Sequence, residues 1–222
     1  SGQYMVVDLC RNDKSNNFYY SNDYGQTWQS LFNTGGNTIP VNFAISDRID
    51  GITEFFPCYL AYETMGRIEI RSPITGTTAY LEGSDIVLND ISISADGSSI
   101  LYANRNGVCK FTNDYGNIWI DVPILDKGGC CSVVGDKFII VDYDVPTKTI
   151  LSSNNGGISW VSSTIETDYN FNDVAIHDNL YILVGENGII YSSQDALTWT
   201  EENSGTTDLS LIHISEPTRL SV

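Results

Sequence analysis

Apolar residues fall in short runs separated by polar, turn-forming clusters. Met5, Val6, Val7 and Leu9 mark a run over residues 3–9, Phe18-Tyr19-Tyr20-Ser21 a second, and residues 27–32 a third. Asp23 to Gly25 separates the last two. Runs this short, rich in Tyr, Val and Ile and bounded by Gly, Asn and Asp, predict β-strands joined by hairpin turns. Arg67-Ile68-Glu69-Ile70-Arg71 alternates strictly between polar and apolar, the signature of a half-buried strand.

The later part of the chain shows the complete unit. Strands are predicted over 171–177, 180–184, 189–193 and from 197 to 200, with turns at Asp178-Asn179 and 185–188. The same order precedes it, with strands over 131–134, 138–143 and 149–153, and before that over 91–94, 99–104 and 108–112. An Asp recurs in the first turn of each, as Asp96, Asp136 and Asp178. One unit is therefore four antiparallel strands.

The turn between the third and fourth strands carries a repeated motif. It reads Ser21-Asn22-Asp23-Tyr24-Gly25-Gln26-Thr27-Trp28, then Thr112-Asn113-Asp114-Tyr115-Gly116-Asn117-Ile118-Trp119, then Ser153-Asn154-Asn155-Gly156-Gly157-Ile158-Ser159-Trp160. A shortened copy is Ser193-Gln194-Asp195-Ala196-Leu197-Thr198-Trp199, so all four Trp close a copy. The starts at 21 and 112 are twice as far apart as the later ones, which predicts a worn copy at Ser72 to Ala79. The remaining excess falls in residues 46–57. Units of about 40 residues that cannot bury both faces alone stack radially. The expectation is an all-β β-propeller of four-stranded antiparallel blades, one domain over residues 1–208, with blades ending near 32, 82, 122, 163 and 203. The first blade lacks its innermost strand. The next innermost strand is due just after the fifth unit, so the expected form is an open arc, or five blades closed imperfectly, from a larger propeller.

Leu209 to Arg219 resembles the translation of a transposase-type sequencing-library adaptor. Residues 209–222 are therefore set apart as a non-native tail. There is no Met at position 1, so the chain is expected to begin inside a longer protein.

Every residue type in the motif has a structural use. Asp, Asn, Ser and Thr accept hydrogen bonds from turn amides. Gly25, Gly116 and Gly157 permit a positive φ, and the Trp covers the hairpin end and packs on a neighbouring unit. The architectural set is Ser21, Asp23, Gly25, Thr27 and Trp28; Thr112, Asp114, Gly116 and Trp119; Ser153, Asn155, Gly157, Ser159 and Trp160; and Ser193, Asp195, Thr198 and Trp199. The pattern resembles the Asp-box, or BNR, repeat. That repeat is found in sialidases, sortilin-type receptor ectodomains, some plant-polysaccharide hydrolases and Ycf48-type photosystem II assembly factors. The resemblance covers residues 3 to about 203 and implies boxes on the outer rim, away from the ligand face. It does not choose between enzymes, receptors and assembly factors.

Composition narrows the partners. Acidic residues number 28 against 11 basic, a net charge of −17, which repels nucleic acid and anionic membrane surfaces. No apolar run reaches the length of a membrane span, and residues 1–4 lack the basic start of a secretion signal. Cys10, Cys58, Cys109, Cys130 and Cys131 are odd in number and irregularly spaced, so buried free thiols are expected, which leans toward a reducing compartment. No cofactor and no metal site is expected: CxxC is absent, and Asp142-Tyr143-Asp144 lacks a Gly-bearing ligand loop.

The face opposite the boxes is built from second-to-third-strand turns and unit-to-unit connections. Its candidate binding residues are Asn12, Lys14, Glu63, Arg105, Asn106, Asp144, Lys148, Glu186 and Asn187. A sialidase needs three Arg, a Tyr–Glu pair and an Asp. The Arg available are Arg11, Arg48, Arg67, Arg71 and Arg105, and the family's Arg-Ile-Pro start is missing. No catalytic residue is assigned. The expected function is a non-enzymatic platform binding a protein or carbohydrate. A sialidase-like glycoside hydrolase fragment and a receptor-type or secreted propeller stand as alternatives. Oligomeric state has no sequence signal.

Overall fold

The computed structural model describes residues 5–10, 16–33, 43–46, 60–64, 67–72, 76–82, 88–123, 127–143 and 146–205. Five antiparallel sheets follow one another along the chain. The first holds β1 (Met5–Cys10), β2 (Asn16–Ser21) and β3 (Gln29–Asn33). The second holds β4 (Phe43–Ile45), β5 (Leu60–Thr64), β6 (Arg67–Ser72) and β7 (Gly76–Glu82). The third holds β8 (Leu88–Ile93), β9 (Ile100–Asn104), β10 (Lys110–Thr112) and β11 (Ile120–Asp121). The fourth holds β12 (Gly128–Val134), β13 (Lys137–Asp142), β14 (Thr147–Ser153) and β15 (Val161–Glu166). The fifth holds β16 (Phe171–His177), β17 (Leu180–Gly185), β18 (Ile190–Ser193) and β19 (Thr200–Glu202).

Each complete sheet pairs its strands in chain order, so every strand is hairpin-linked to the next. In the first sheet the box follows β2, which makes β1, β2 and β3 the second, third and fourth strands of a unit. Among the described residues this sheet has three strands, as expected of a unit without its innermost strand.

Consecutive sheets pack face to face, as propeller blades do. β8 lies against β4 and β5 of one neighbour and against β12 of the other, and β12 lies against β16. This two-sided packing explains the unbroken apolar runs Ile100-Leu101-Tyr102-Ala103 and Phe138-Ile139-Ile140-Val141. In β9, Ile100 and Tyr102 enter the core shared with blade two, while Leu101 and Ala103 enter the core shared with blade four. In β13, Phe138 and Ile140 face blade three, and Ile139 and Val141 face blade five. Both faces are buried, so the solvent-facing half of the alternation disappears.

The worn copy departs from a box. Ser72 pairs with Gly76 and Arg71 with Thr77, so the ladder runs on to within a few residues of the turn, and Thr77 to Ala79 lie in β7. Residues 73–75, like the tail at 209–222, lie outside the described residues.

Candidate functional site

The boxes form a closed set of local hydrogen bonds. In the first, Ser21 Oγ donates to Asp23 Oδ1 (2.7 Å) and accepts from the Gly25 amide (2.8 Å). Asp23 accepts from the Thr27 amide (2.8 Å) and the Thr27 hydroxyl (2.6 Å), and Trp28 Nε1 donates to the Gly25 carbonyl (3.1 Å). The bonds from Thr27, then Ser21, bring the Asp23 carboxyl down to about 2. Asp195 is likewise held at about 2 by the amides of Thr198 and Leu197 and the Ser193 hydroxyl. At Asp114, burial is the largest influence and pushes upward. Bonds from Thr112 and the Ile118 and Asn117 amides together outweigh it and lower the pKa.

Box three tests the chemistry internally. Asn155 Oδ1 accepts from Ser153 Oγ (2.9 Å) and from the Ser159 amide (3.0 Å), while Asn155 Nδ2 donates to Ser159 Oγ (2.9 Å). Where Asp23 accepts from a hydroxyl, Asn155 donates to one, and the turn is preserved. The sequence pointed to Gly as the residue of positive φ. The residue before it is also left-handed, at Tyr24 (φ 59), Tyr115 (φ 62) and Gly156 (φ 66), and in the shortened box Ala196 (φ 58) takes that role.

The boxes also join blades. Tyr115 and Gly156 donate their amides to Ser98 and Asp136, in the first turns of their own units (3.0 and 2.9 Å). Asn113 Nδ2 reaches the Gly156 carbonyl of the next box (2.7 Å). Trp160 packs on Phe111 of the preceding blade (5.8 Å) as well as on Phe138 (6.1 Å), and a Cβ on Gly157 would strike the Phe111 ring. Trp199 Nε1 donates to Ser163 Oγ, and Ser163 Oγ donates to the Ala196 carbonyl, tying blade four to blade five (3.0 and 2.9 Å). Trp119 differs: its indole tilts onto Tyr102 (5.6 Å), and among the described residues its Nε1 is buried with no hydrogen-bond partner. The motif is thus occupied with holding turns and seams.

The opposite face carries the candidate binding residues. Asn12, Lys14 and Asp144 lie outside the described residues, and Glu63 lies within β5. Arg105 and Asn106 form the exposed turn after β9. Arg105 Nε donates to Asn89 Oδ1 (3.1 Å), and its guanidinium lies over the Tyr143 ring of the next blade (5.6 Å). The Asn106 amide donates to Asn104 Oδ1 (3.1 Å). Lys148 is in β14 and buried. Its Nζ donates to Asn170 Oδ1 (2.9 Å) on the connection to the fifth blade. Glu186 accepts from the Asn170 amide (3.0 Å), and Asn187 stands exposed with φ 55. Arg105 and Asn106 are therefore together, Lys148 and Glu186 meet through Asn170, and Asn187 borders a cleft of about 450 Å³ lined also by Tyr169, Ile189, Glu201 and Asn203.

Asn89, Tyr143 and Asn170 were not singled out from the sequence. Asn89-Asp90 does recur as Asn172-Asp173 two units later, a signal that a reading centred on turns passes over. Asp90 Oδ1 accepts from its neighbour Ile91 (2.8 Å), and Oδ2 accepts from the Cys131 amide across the seam (2.8 Å). Burial pushes its carboxyl up to about 7, Asp173 adds to the rise, and the two amides oppose it. Cys109, Cys130 and Cys131 are buried free thiols, and burial raises each pKa, that of Cys109 to about 11. Among the described residues no group of three His, Cys, Asp or Glu side chains is placed to hold a metal, and no helix is long and apolar enough to cross a membrane.

No family model and no curated protein matches the chain. Solved structures do. The computationally designed Ika8 protein aligns with TM-score 0.64 at 12% identity, over 93% of this chain and 60% of Ika8. A chain of a nidogen–laminin complex aligns with TM-score 0.59 at 10% identity, over 87% of this chain and 75% of that one. YCF48, solved bound to a D1 peptide, aligns with TM-score 0.56 at 12% identity, over 91% of this chain and 70% of that one. The fold is a β-propeller. At these identities the likeness speaks to fold alone.

Proposed function

We propose that the chain is a non-enzymatic Asp-box propeller whose box-free face is a protein-binding platform. The observation that carries this is the placement of Arg105, an exposed cation held by Asn89 of its own blade and Tyr143 of the next. A guanidinium fixed over an aromatic ring loses little entropy when it engages a partner, and Arg and Tyr are the residue types that dominate protein-binding hot spots. The cleft beside Asn187 gives a second recess for a partner side chain. The box residues support the same division of labour, because their polar groups are spent on turns and seams. The neighbours include one propeller solved with a peptide, which fits a peptide or protein ligand.

The test is binding of immobilised chain to a peptide-display library and to a glycan array, alongside hydrolysis assays on sialosides and glucans. Saturable peptide binding that Arg105→Glu abolishes, with a silent glycan array, supports the platform. Turnover of a glycoside overturns it.

A further inference from the structure

The outermost strands differ in how they end their sheets. β11 has two residues and carries the Lys110–Asp121 ion pair (2.7 Å). β19 has three residues, with Glu201 and Glu202 among them. The ladders that hold β3 and β7 each slip register once. Short strands, charges and register slips all blunt an edge against further pairing. β15 has none of these protections along its length. Its six residues pair one for one with β14, and its single charge is Glu166 at the end.

One bond settles which backbone groups face outward. The Thr167 amide donates to the Pro146 carbonyl (2.9 Å), and in an antiparallel ladder every second residue bonds to the partner strand. Ile165, Ser163 and Val161 therefore bond to β14, opposite Lys148, Ile150 and Ser152. Ser162, Thr164 and Glu166 turn their N–H and C=O groups outward. All three residues are exposed, and among the described residues no strand pairs with that edge. The side chains alternate as well. Ile165 enters the core shared with blade five, and Ser163 Oγ donates to the Ala196 carbonyl (2.9 Å). On that side Val161 and Leu197 stay 49% and 47% exposed. The other side presents Ser162, Thr164 and Glu166, whose carboxylate accepts from the Thr147 hydroxyl (2.8 Å).

We propose that β15 is an edge-strand docking site for an extended, basic segment of a partner protein. The partner's backbone adds a strand to blade four by bonding to Ser162, Thr164 and Glu166. Its side chains alternate: apolar residues lie beside Val161 and Leu197, and a Lys or Arg lies opposite Glu166. Charge selects the occupant. Glu166 on β15 and Glu201 and Glu202 on the outer strand of blade five are exposed, and the chain carries −17 overall. A second copy of this chain would bring the same charges against them. The site does not use Arg105, so this proposal and the box-free platform can fail separately.

The probe is a labelled, end-capped peptide in which Val and Lys alternate, titrated into the full chain by fluorescence anisotropy. The expected result is saturable binding that slows amide hydrogen exchange in residues 161–166. Thr164→Pro weakens it about tenfold or more, because the outward amide is lost while Pro at an outward-facing edge position leaves the β14 ladder intact. Glu166→Gln weakens it as well, and Arg105→Gln leaves it unchanged. The same peptide N-methylated at every amide keeps its charges and is expected not to bind. Where Thr164→Pro fails to fold, the N-methylated peptide against the wild-type chain decides. Absence of saturable binding, equal affinity in a folded Thr164→Pro, or equal binding of the N-methylated peptide overturns the proposal. So does a dimer of the chain that Thr164→Pro dissociates, which would assign the edge to a second copy.

Discussion

Asp23 and Asn155 hold the same place in two boxes, and comparing them shows what the place requires. Both use one side-chain oxygen to accept from an amide four residues on. The second side-chain atom meets a hydroxyl, and a hydroxyl can donate or accept, so Asp and Asn both serve. Asp23→Asn is therefore expected to keep the turn but to melt somewhat earlier than the wild type at neutral pH, where the carboxylate's stabilisation is present, and Asp23→Ala to melt earlier still; thermal denaturation followed by circular dichroism separates the three. Acid discriminates further. The folded pKa of Asp23 and Asp195 is about 2, below the unfolded value of about 3.9, so their stabilisation is present above about pH 4 and is lost as pH falls toward 2. The Asp23→Asn, Asp195→Asn double variant should flatten that part of the stability profile. Asp90 has the opposite sign. Its folded pKa is raised to about 7, so its contribution is favourable below about pH 4 and is lost as pH rises to 7. Relative to wild type, Asp90→Asn should gain stability across that window in urea titrations. An unchanged difference between pH 4 and 7 would refute the assignment.

At the scale of strands and seams, the Trp residues are not equivalent. Trp160 fills the seam against Phe111 and Phe138, while Trp28 is 39% exposed. Trp160→Ala is expected to cost on the order of 3 kcal/mol in urea denaturation and Trp28→Ala distinctly less. Equal costs would mean that the box Trp acts only within its own hairpin. Much of this scale was legible in the sequence, because box spacing marks the third-to-fourth-strand turn and sheets pair in chain order. The worn copy lies where the spacing places it, between the third and fourth strands of the second sheet, but its strands pair closer to the turn than in a box, with Ser72 opposite Gly76 and Arg71 opposite Thr77. Lys148 was read as a turn residue. β14 begins at Thr147, and strand alternation then turns Lys148 into the seam, where Asn170 meets its amine. The cross-seam bond of Asp90 was not legible because polar residues beginning a strand read as the end of a loop. The amide that Asp90 meets lies 41 residues further along the chain.

For the molecule as a whole, the proposed function divides the chain into an end that builds and an end that presents. The box end spends its Asp, Ser and Trp groups on turns and neighbouring blades. The other end fixes Arg105 between two blades and leaves it exposed. The net charge of −17 argues that a partner meeting this end is not an anionic polymer. On this reading architecture and recognition are separate, and binding measured beside stability distinguishes them. Affinity for a display-selected peptide and melting temperature are determined in parallel for wild type, Arg105→Glu and Asp195→Ala. Arg105→Glu is expected to lose binding at an unchanged melting temperature, while Asp195→Ala melts earlier and binds as tightly as wild type once folded. Loss of binding in folded Asp195→Ala with full affinity in Arg105→Glu would place recognition at the boxes and contradict it.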